Sequence, residues 1–260
     1  MTDAVGSIVC GYRITECLHA GAWDVYRAQG TAGAALVTVT ATPPPGLAAL
    51  GLPFPGIPEL VGTAEVGGRA ALVEREPRGW TIGELKWPLP IDEVITVGLD
   101  LARLLDKLHA AGAIHGALRP QLTWIDNAGG RSSLSGTTPR PELAGEHGLD
   151  PARLEASPFQ RDPFVPHMLA RGEPRSAASD VAQLGMMLHH MAMCASPFAR
   201  TGDTPLDQHR RAVEGDIPPW KTDDPRARAV EELARDAFDP ARTGRRTLAP
   251  LLDGLEQLSR

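Results

Sequence analysis

The 260-residue chain predicts an α+β fold of two lobes, a small antiparallel sheet followed by a larger, mainly helical part. Three observations carry that expectation. Short alternating and β-branched runs fill residues 12–42, and two further runs are joined by Gly67-Gly68. From Asp92 onward the apolar spacing changes to threes and fours. No internal repeat or low-complexity tail interrupts this order.

In the first part, Tyr12-Arg13-Ile14-Thr15 alternates and Asp24-Val25-Tyr26-Arg27 follows a turn at Gly21. Leu36-Val37-Thr38-Val39-Thr40 is β-branched and predicts a third strand. Pro43-Pro44-Pro45-Gly46 then stops any strand, because proline cannot donate to a ladder. From there to Pro53 only Gly46–Gly51 has helical character, about one and a half turns. Leu60–Val66 and Arg69–Glu74 flank Gly67-Gly68, a hairpin signal because both glycines take positive φ without strain.

In the second part, Val94, Gly98, Leu101, Leu105 and Leu108 fall on one stripe. Asp92 is the expected N-cap of that helix and Gly112 the residue just past its end. A polar span from Asn127 to Pro174 has little periodicity, as functional or mobile segments often do. Ser179-Asp180 is expected to cap a second helix, Val181 to Met193, apolar nearly all round and so central. Asp224-Pro225 offers an N-cap with proline at the first helical position for a third. Thr247 begins a fourth, with Leu248, Leu251, Leu252, Leu255 and Leu258 on one face.

Composition narrows the function classes. Apolar content of 42% and charge of 22% are those of a folded globular protein. A net charge of −6 gives no electrostatic reason to expect nucleic acid or an anionic membrane as a partner. Cys10, Cys17 and Cys194 form no C-x-x-C pair, so neither a disulfide framework nor a zinc site is suggested. No run of 18 apolar residues occurs, and Met1-Thr2-Asp3 lacks the basic start of a signal peptide. The expectation is a soluble, cytoplasmic protein. Only three of the 26 basic residues are lysines: Lys86, Lys107 and Lys221.

Leu108-His109 through His115-Gly116-Ala117-Leu118-Arg119-Pro120-Gln121-Leu122 resembles the protein-kinase catalytic loop, LH-x-x-G-I-x-H-R-D-L-K-P-x-N. The likeness continues in order along residues 10–258. Tyr12-Arg13-Ile14 through Val25-Tyr26-Arg27-Ala28 resembles the first two kinase strands. Phe54–Leu60 resembles the run before the fourth, and Leu72-Val73-Glu74 the end of the fifth and the hinge. Ser179-Asp180-Val181 through Leu188 is similar to the S-D-V-x-x-L-G-x-x-L helix of bacterial Ser/Thr kinases. Asp239-Pro240 to Arg245-Arg246-Thr247 looks like the late D-P-x-x-R-P-[ST] motif.

The positions that the resemblance makes chemical are changed. Phosphoryl transfer in kinases uses a Gly-rich loop, a strand Lys paired with a helix Glu, a base Asp, an Asn and a metal-binding Asp. The Gly-rich loop aligns with Leu18–Tyr26, where only Gly21 survives and Asp24 would oppose a phosphate. The strand Lys falls at Thr38 or Thr40, and Arg27 or Arg69 could replace it only in an unusual geometry. The helix Glu has no counterpart, because 43–53 contains no acid. Ala117 replaces the base Asp and cannot accept a proton. Gly116 stands for the usual Arg, Leu122 for the metal-binding Asn, and Arg119 for the loop Lys. The D-F-G position falls at about Gly136-Thr137-Thr138, and no aspartate lies between Asn127 and Leu149, so a magnesium ligand is missing. A-P-E reads Val165-Pro166-His167. His115 and Asp180, which in the family hold the loop's backbone rather than react, are both present.

The resemblance therefore implies a single protein kinase-like domain over 1–260, with a β-rich N-lobe at 10–75, a reduced or absent C-helix, and a helical C-lobe at 76–260. It implies a catalytically inactive member, a pseudokinase, acting as an interaction or regulatory module in phospho-signalling. No catalytic, cofactor-binding or metal-binding residue is assigned, and no cofactor is expected. The expected partner is another protein: a kinase, a phosphopeptide-binding domain or a regulator. ATP binding is in doubt. The alternative is a residual nucleotide binder or an unorthodox Ser/Thr kinase, because adenine recognition by hinge backbone tolerates side-chain changes. A small-molecule phosphotransferase ranks below these, since it needs the same carboxylates.

Other candidates have plainer readings. His189-His190, in an apolar helix, is expected to pack or reach solvent rather than bind metal. Met186, Met187, Met191 and Met193 read as core filling, and Trp220 as a packed loop residue. Thr138-Pro139 and Ser157-Pro158 are candidate phosphorylation sites for another kinase.

Overall fold

Alternation in the first seventy-odd residues builds one antiparallel sheet. A computed structural model describes residues 4–19, 23–40, 56–116, 118–125, 132–134, 140–141, 167–170, 176–239 and 247–260. Its first strands are β1 (Ile8–Val9), β2 (Tyr12–His19), β3 (Trp23–Gly30), β4 (Gly33–Thr40), β5 (Leu60–Val66) and β6 (Arg69–Arg75), ordered β1-β2-β3-β4-β6-β5. The sheet reaches further toward the N-terminus than residue 10, because β1 pairs with β2 and Ala4 and Val9 are buried with it. Cys10-Gly11 turns that hairpin with φ of 49° and 82°, and Gly67-Gly68 turns the other with 58° and 75°. The sheet curls until its edges meet. The Cys10 thiol donates to the Thr63 carbonyl of β5 at 3.7 Å.

One face of this sheet forms its own hydrophobic cluster, with Tyr12, Ile14, Tyr26, Val37, Val39 and Val73 among its members. Period-2 geometry sends Val25, Leu36, Thr38, Leu72 and Glu74 to the other face, as their register pairings require. All five are buried there as well.

The second part contains β7 (Trp80–Thr81), α1 (Ile91–Ala110), β8 (Ala113–Ile114), β9 (Thr123–Ile125), β10 (Ser132–Leu134), β11 (Arg140–Pro141) and α2 (His167–Ala170). After these come α3 (Ala177–Met193), α4 (Pro205–Glu214), α5 (Pro225–Phe238) and α6 (Leu248–Leu258). β7, β9 and β10 form a small antiparallel sheet, and β8 pairs with β11. The expected stripe on α1 is buried in full. It packs against α6 and against α3, whose Val181, Leu184, Met186, Met187, Leu188 and Met191 are fully covered. The architecture is mixed α+β with an antiparallel sheet. Among the described residues no helix is long and apolar enough to cross a membrane.

Several expectations are corrected. The N-cap position of α1 is Pro90, extended at φ −53° and ψ 143°, so Asp92 lies inside the first turn, where the helix dipole favours an acid. The helix does end at Gly112, with φ +71°. α3 begins four residues before Val181, with Ser176 as N-cap. Ser179 is its third residue and completes a reciprocal capping box with Ser176, which leaves Asp180 free to face inward. Met193 is 37% exposed rather than core, because it closes the last turn of α3. α4 was not expected, although Thr204-Pro205 and Asp207 supply cap, proline and capping-box acid, with Gly215 at its end. Asp224 caps α5 as expected, accepting from the Arg226 amide at 2.8 Å. Between Asn127 and Pro174 only β10, β11 and α2 are described, and the expected helical stretch Gly46–Gly51 lies outside the described residues.

Candidate functional site

The stretch between β8 and β9 is held from beneath by polar side chains of an otherwise apolar helix. Asp180 and Gln183 are three apart on α3 and so share one face. The Asp180 carboxylate accepts from the His115 amide at 2.8 Å and the Gly116 amide at 2.6 Å. Its Oδ2 also lies 3.1 Å from His109 Nε2 at the end of α1. The Gln183 side-chain oxygen accepts from the Leu118 amide at 3.3 Å. One buried carboxylate thus satisfies two backbone donors and a ring nitrogen, which compensates for taking its charge out of water.

Glycine at 116 has a local reason. Its φ is +73°, a region that an L-residue enters only with strain. Beyond it, the Thr123 hydroxyl donates to the Arg119 carbonyl at 3.0 Å, and the Leu122 amide donates to the same residue's carbonyl. Leu118 and Leu122 are both fully buried, Leu118 within the cluster of the helical part. Leu122 therefore packs where the kinase pattern has a polar metal ligand. Ala117 lies outside the described residues.

The sheet positions identified in the sequence are accounted for one by one. Thr38 is buried, and its hydroxyl makes no hydrogen bond among the described residues. Thr40 ends β4. Asp24 does not confront a ligand space. It lies on the cluster face of β3, where Arg69 Nη1 meets its carboxylate at 2.5 Å and Arg69 Nη2 donates to the Val39 carbonyl. Arg27 is committed elsewhere, donating to Glu76 at 2.7 Å and Glu16 at 2.8 Å. Desolvation opposes the Arg27 charge, but the two carboxylates outweigh it and raise the guanidinium pKa. Neither arginine is placed as a substitute for a strand lysine.

The segment after Glu74, which the resemblance reads as a hinge, has two of its amides in use. The Arg75 amide donates to the Glu59 carbonyl at 3.0 Å, and the Glu76 amide to the Ala34 carbonyl at 3.2 Å. An N–H group donates one strong bond, so these two are spent within the protein.

Gly21, the D-F-G position near Gly136, Thr138, Ser157, Val165-Pro166 and Arg245-Arg246 lie outside the described residues. His189 is buried and accepts the Trp220 indole N–H at Nδ1, 2.9 Å away, so both residues pack as expected. Burial, with Arg235 and His190 nearby, lowers the His189 pKa to about 4. Among the described residues no three His, Cys, Asp or Glu side chains gather in a group that could hold a metal ion.

Sequence reasoning missed two members of the loop bracket, His109 and Gln183. Both were legible in principle: Gln183 from its i+3 spacing to Asp180, and His109 from its place at the end of the α1 pattern. The Glu16–Arg27–Glu76 bridge had no signal, because it joins residues far apart in sequence. No protein-family model matches the chain, and no curated protein matches it.

Proposed function

We propose that this chain is a catalytically inactive, protein kinase-like domain that works as a protein-interaction or regulatory module. The observation that carries the reading is the Asp180 carboxylate holding the His115 and Gly116 amides. Asp180 and His115 are the residues the resemblance assigns to holding rather than reacting. The strands that resemble the first two, fourth and fifth kinase strands lie in one antiparallel sheet, which also supports the reading. So do two hydrophobic clusters, one drawn from residues 4–73 and the other from 82–255, as two lobes require. Leu122, which the resemblance aligns with a metal ligand, is buried, and so is Thr38, one of the two positions, with Thr40, that it offers for a phosphate-binding lysine.

Incubation with radiolabelled ATP and magnesium or manganese tests the reading. The expected result is phosphate incorporation no greater than that of an unrelated protein. Transfer well above that background would overturn it. Nucleotide binding without transfer has weaker support, since the Arg75 and Glu76 amides are already paired. A ligand at 100 times its dissociation constant adds about 2.7 kcal/mol of stability. A thermal-shift titration with millimolar ATP and ADP should accordingly show no shift.

A further inference from the structure

The segment Ala4–Val9 is folded back onto β2 by a two-residue turn that carries an unfavoured residue. Both of its central positions, Cys10 and Gly11, have positive φ, 49° and 82°. Such turns favour Asn-Gly, because a residue with a Cβ enters the left-handed region only with strain. Cys10 and Cys194 are the two described non-glycine residues that do so. In return Cys10 makes one contact across the sheet, its thiol donating to the Thr63 carbonyl at 3.7 Å, and a thiol is a weak donor.

The segment itself is well seated. Ala4 and Val9 are 4% and 3% exposed and belong to the hydrophobic cluster of the sheet, against which Val61, Ala64 and Val66 of β5 also pack. The Gly6 amide donates to the Ile14 carbonyl at 2.8 Å, and the Ile14 amide donates to the Ser7 carbonyl at 2.9 Å. Ile8 pairs with Arg13, and Val9 with Tyr12. This register is symmetric about the turn. Were Cys10-Gly11 to straighten, Cys10 of one chain would fall opposite Gly11 of another, and the ladder would run unbroken through both. Each chain's Ala4–Val9 would then make on its neighbour the contacts it now makes on itself, giving up only the thiol contact. Cys10 and Gly11 are exposed, and a Cβ at Gly11 would meet nothing within 4 Å, so the described residues do not crowd the crossing point.

A strained short hinge beside a well-seated segment is the condition under which identical chains exchange that segment. We infer that the seat of Ala4–Val9 beside β2 accepts the same segment of a second copy of this chain, giving a symmetric strand-exchanged dimer. The occupant follows from the seat, which this segment already fills. The inference goes beyond the inactive-kinase reading and does not depend on it.

The test mixes the full chain carrying Ile8→Cys with the full chain carrying Arg13→Cys, at about 1 mM so that mass action favours association, before gentle oxidation. Positions 8 and 13 pair across the ladder and are both exposed, so a disulfide between the two kinds of chain reports exchange. The expected result is a dimer by size-exclusion with light scattering, in which mass spectrometry finds the 8–13 bond. Cys10→Asn supplies the residue that this turn favours and should lower the dimer fraction about threefold or more. Gly11→Val has room for its Cβ but not the φ, and should raise the dimer fraction by about as much. The inference is overturned if the parent chain stays monomeric at this concentration, or if dimers form without the 8–13 bond. It is likewise overturned if Cys10→Asn leaves the dimer fraction unchanged. That variant relieves strain and should fold at least as well as the parent, so the test survives a misfolded Gly11→Val.

Discussion

Asp180 has no exposed surface, and its two oxygens serve three groups from two other segments, so it is the residue most open to a decisive substitution. Asp180→Asn keeps the shape but replaces one acceptor with a donor, which would then face a backbone N–H. A buried donor left unsatisfied costs about 1–3 kcal/mol, and breaking a buried charged contact costs more. We expect Asp180→Asn to lower stability by about 2–4 kcal/mol, read as a drop in urea midpoint at unchanged slope. A change below about 0.5 kcal/mol would show that the loop is held by other means. His189 offers a second test, in pH. Its folded pKa, about 4, lies below the ordinary value of 6.5, so the unfolded chain takes up the proton first as pH falls. Stability from this residue is fully present above pH 6.5 and is lost as pH falls through that window toward 4. The ceiling is about 3 kcal/mol at 1.36 kcal/mol per pKa unit. His190, whose pKa burial also lowers, adds to the same trend. His189→Asn can still accept the Trp220 indole N–H but does not titrate. Its unfolding free energy should fall less steeply between pH 6.5 and 4 than that of the parent protein, measured by chemical denaturation.

At the scale of elements, helix contacts depend on glycines whose environments differ. A Cβ at Gly185 of α3 would come within 2.7 Å of both the Ala234 carbonyl oxygen and the Ala237 methyl of α5. Neither can move aside without the whole helix. A Cβ at Gly254 of α6 would meet the Leu233 side chain at 2.4 Å, but that side chain is only partly buried and can change rotamer. Alanine favours a helix over glycine by about 1 kcal/mol in both places. Gly185→Ala should therefore be destabilising by about 1–3 kcal/mol, while Gly254→Ala stays within about 1 kcal/mol of the parent. Equal losses in thermal denaturation would show that rotamer freedom at Leu233 does not matter. Periodicity and turn chemistry made most of these elements legible: the α1 stripe, the Gly67-Gly68 hairpin and the Asp224-Pro225 cap are local signals. Helix starts were misjudged where two capping-type residues compete within four positions, as at Ser176 and Ser179. α4 escaped notice because its mean polarity hides a short apolar face. The bracket was legible only through Asp180 and His115, since Gln183 acquires meaning once the chain places Leu118 above it.

At the scale of the whole molecule, the described residues form two hydrophobic clusters that share no residue, and Ile57 is a described residue from the sheet portion that packs against the helical one. Arg27, Arg69 and Arg75 are spent on Glu16, Glu76, Asp24 and Glu59, all within the first seventy-six residues. Cooperative unfolding needs shared burial, so sparse sharing predicts that the two parts open separately. Val37→Ala empties two methyl groups from the centre of the sheet cluster and should cost about 1–3 kcal/mol there. Each 1.4 kcal/mol is tenfold in an opening equilibrium. Native-state hydrogen exchange should consequently speed about tenfold or more for amides of β3, β4 and β6, while those of α1 and α3 change by less than about twofold. Leu101→Ala, at the fully buried centre of α1, should do the reverse. Uniform acceleration across both parts in either variant would mean that the clusters unfold as one unit. Contacts beyond the described residues would then have to bind the sheet to the helices more tightly than Ile57 does.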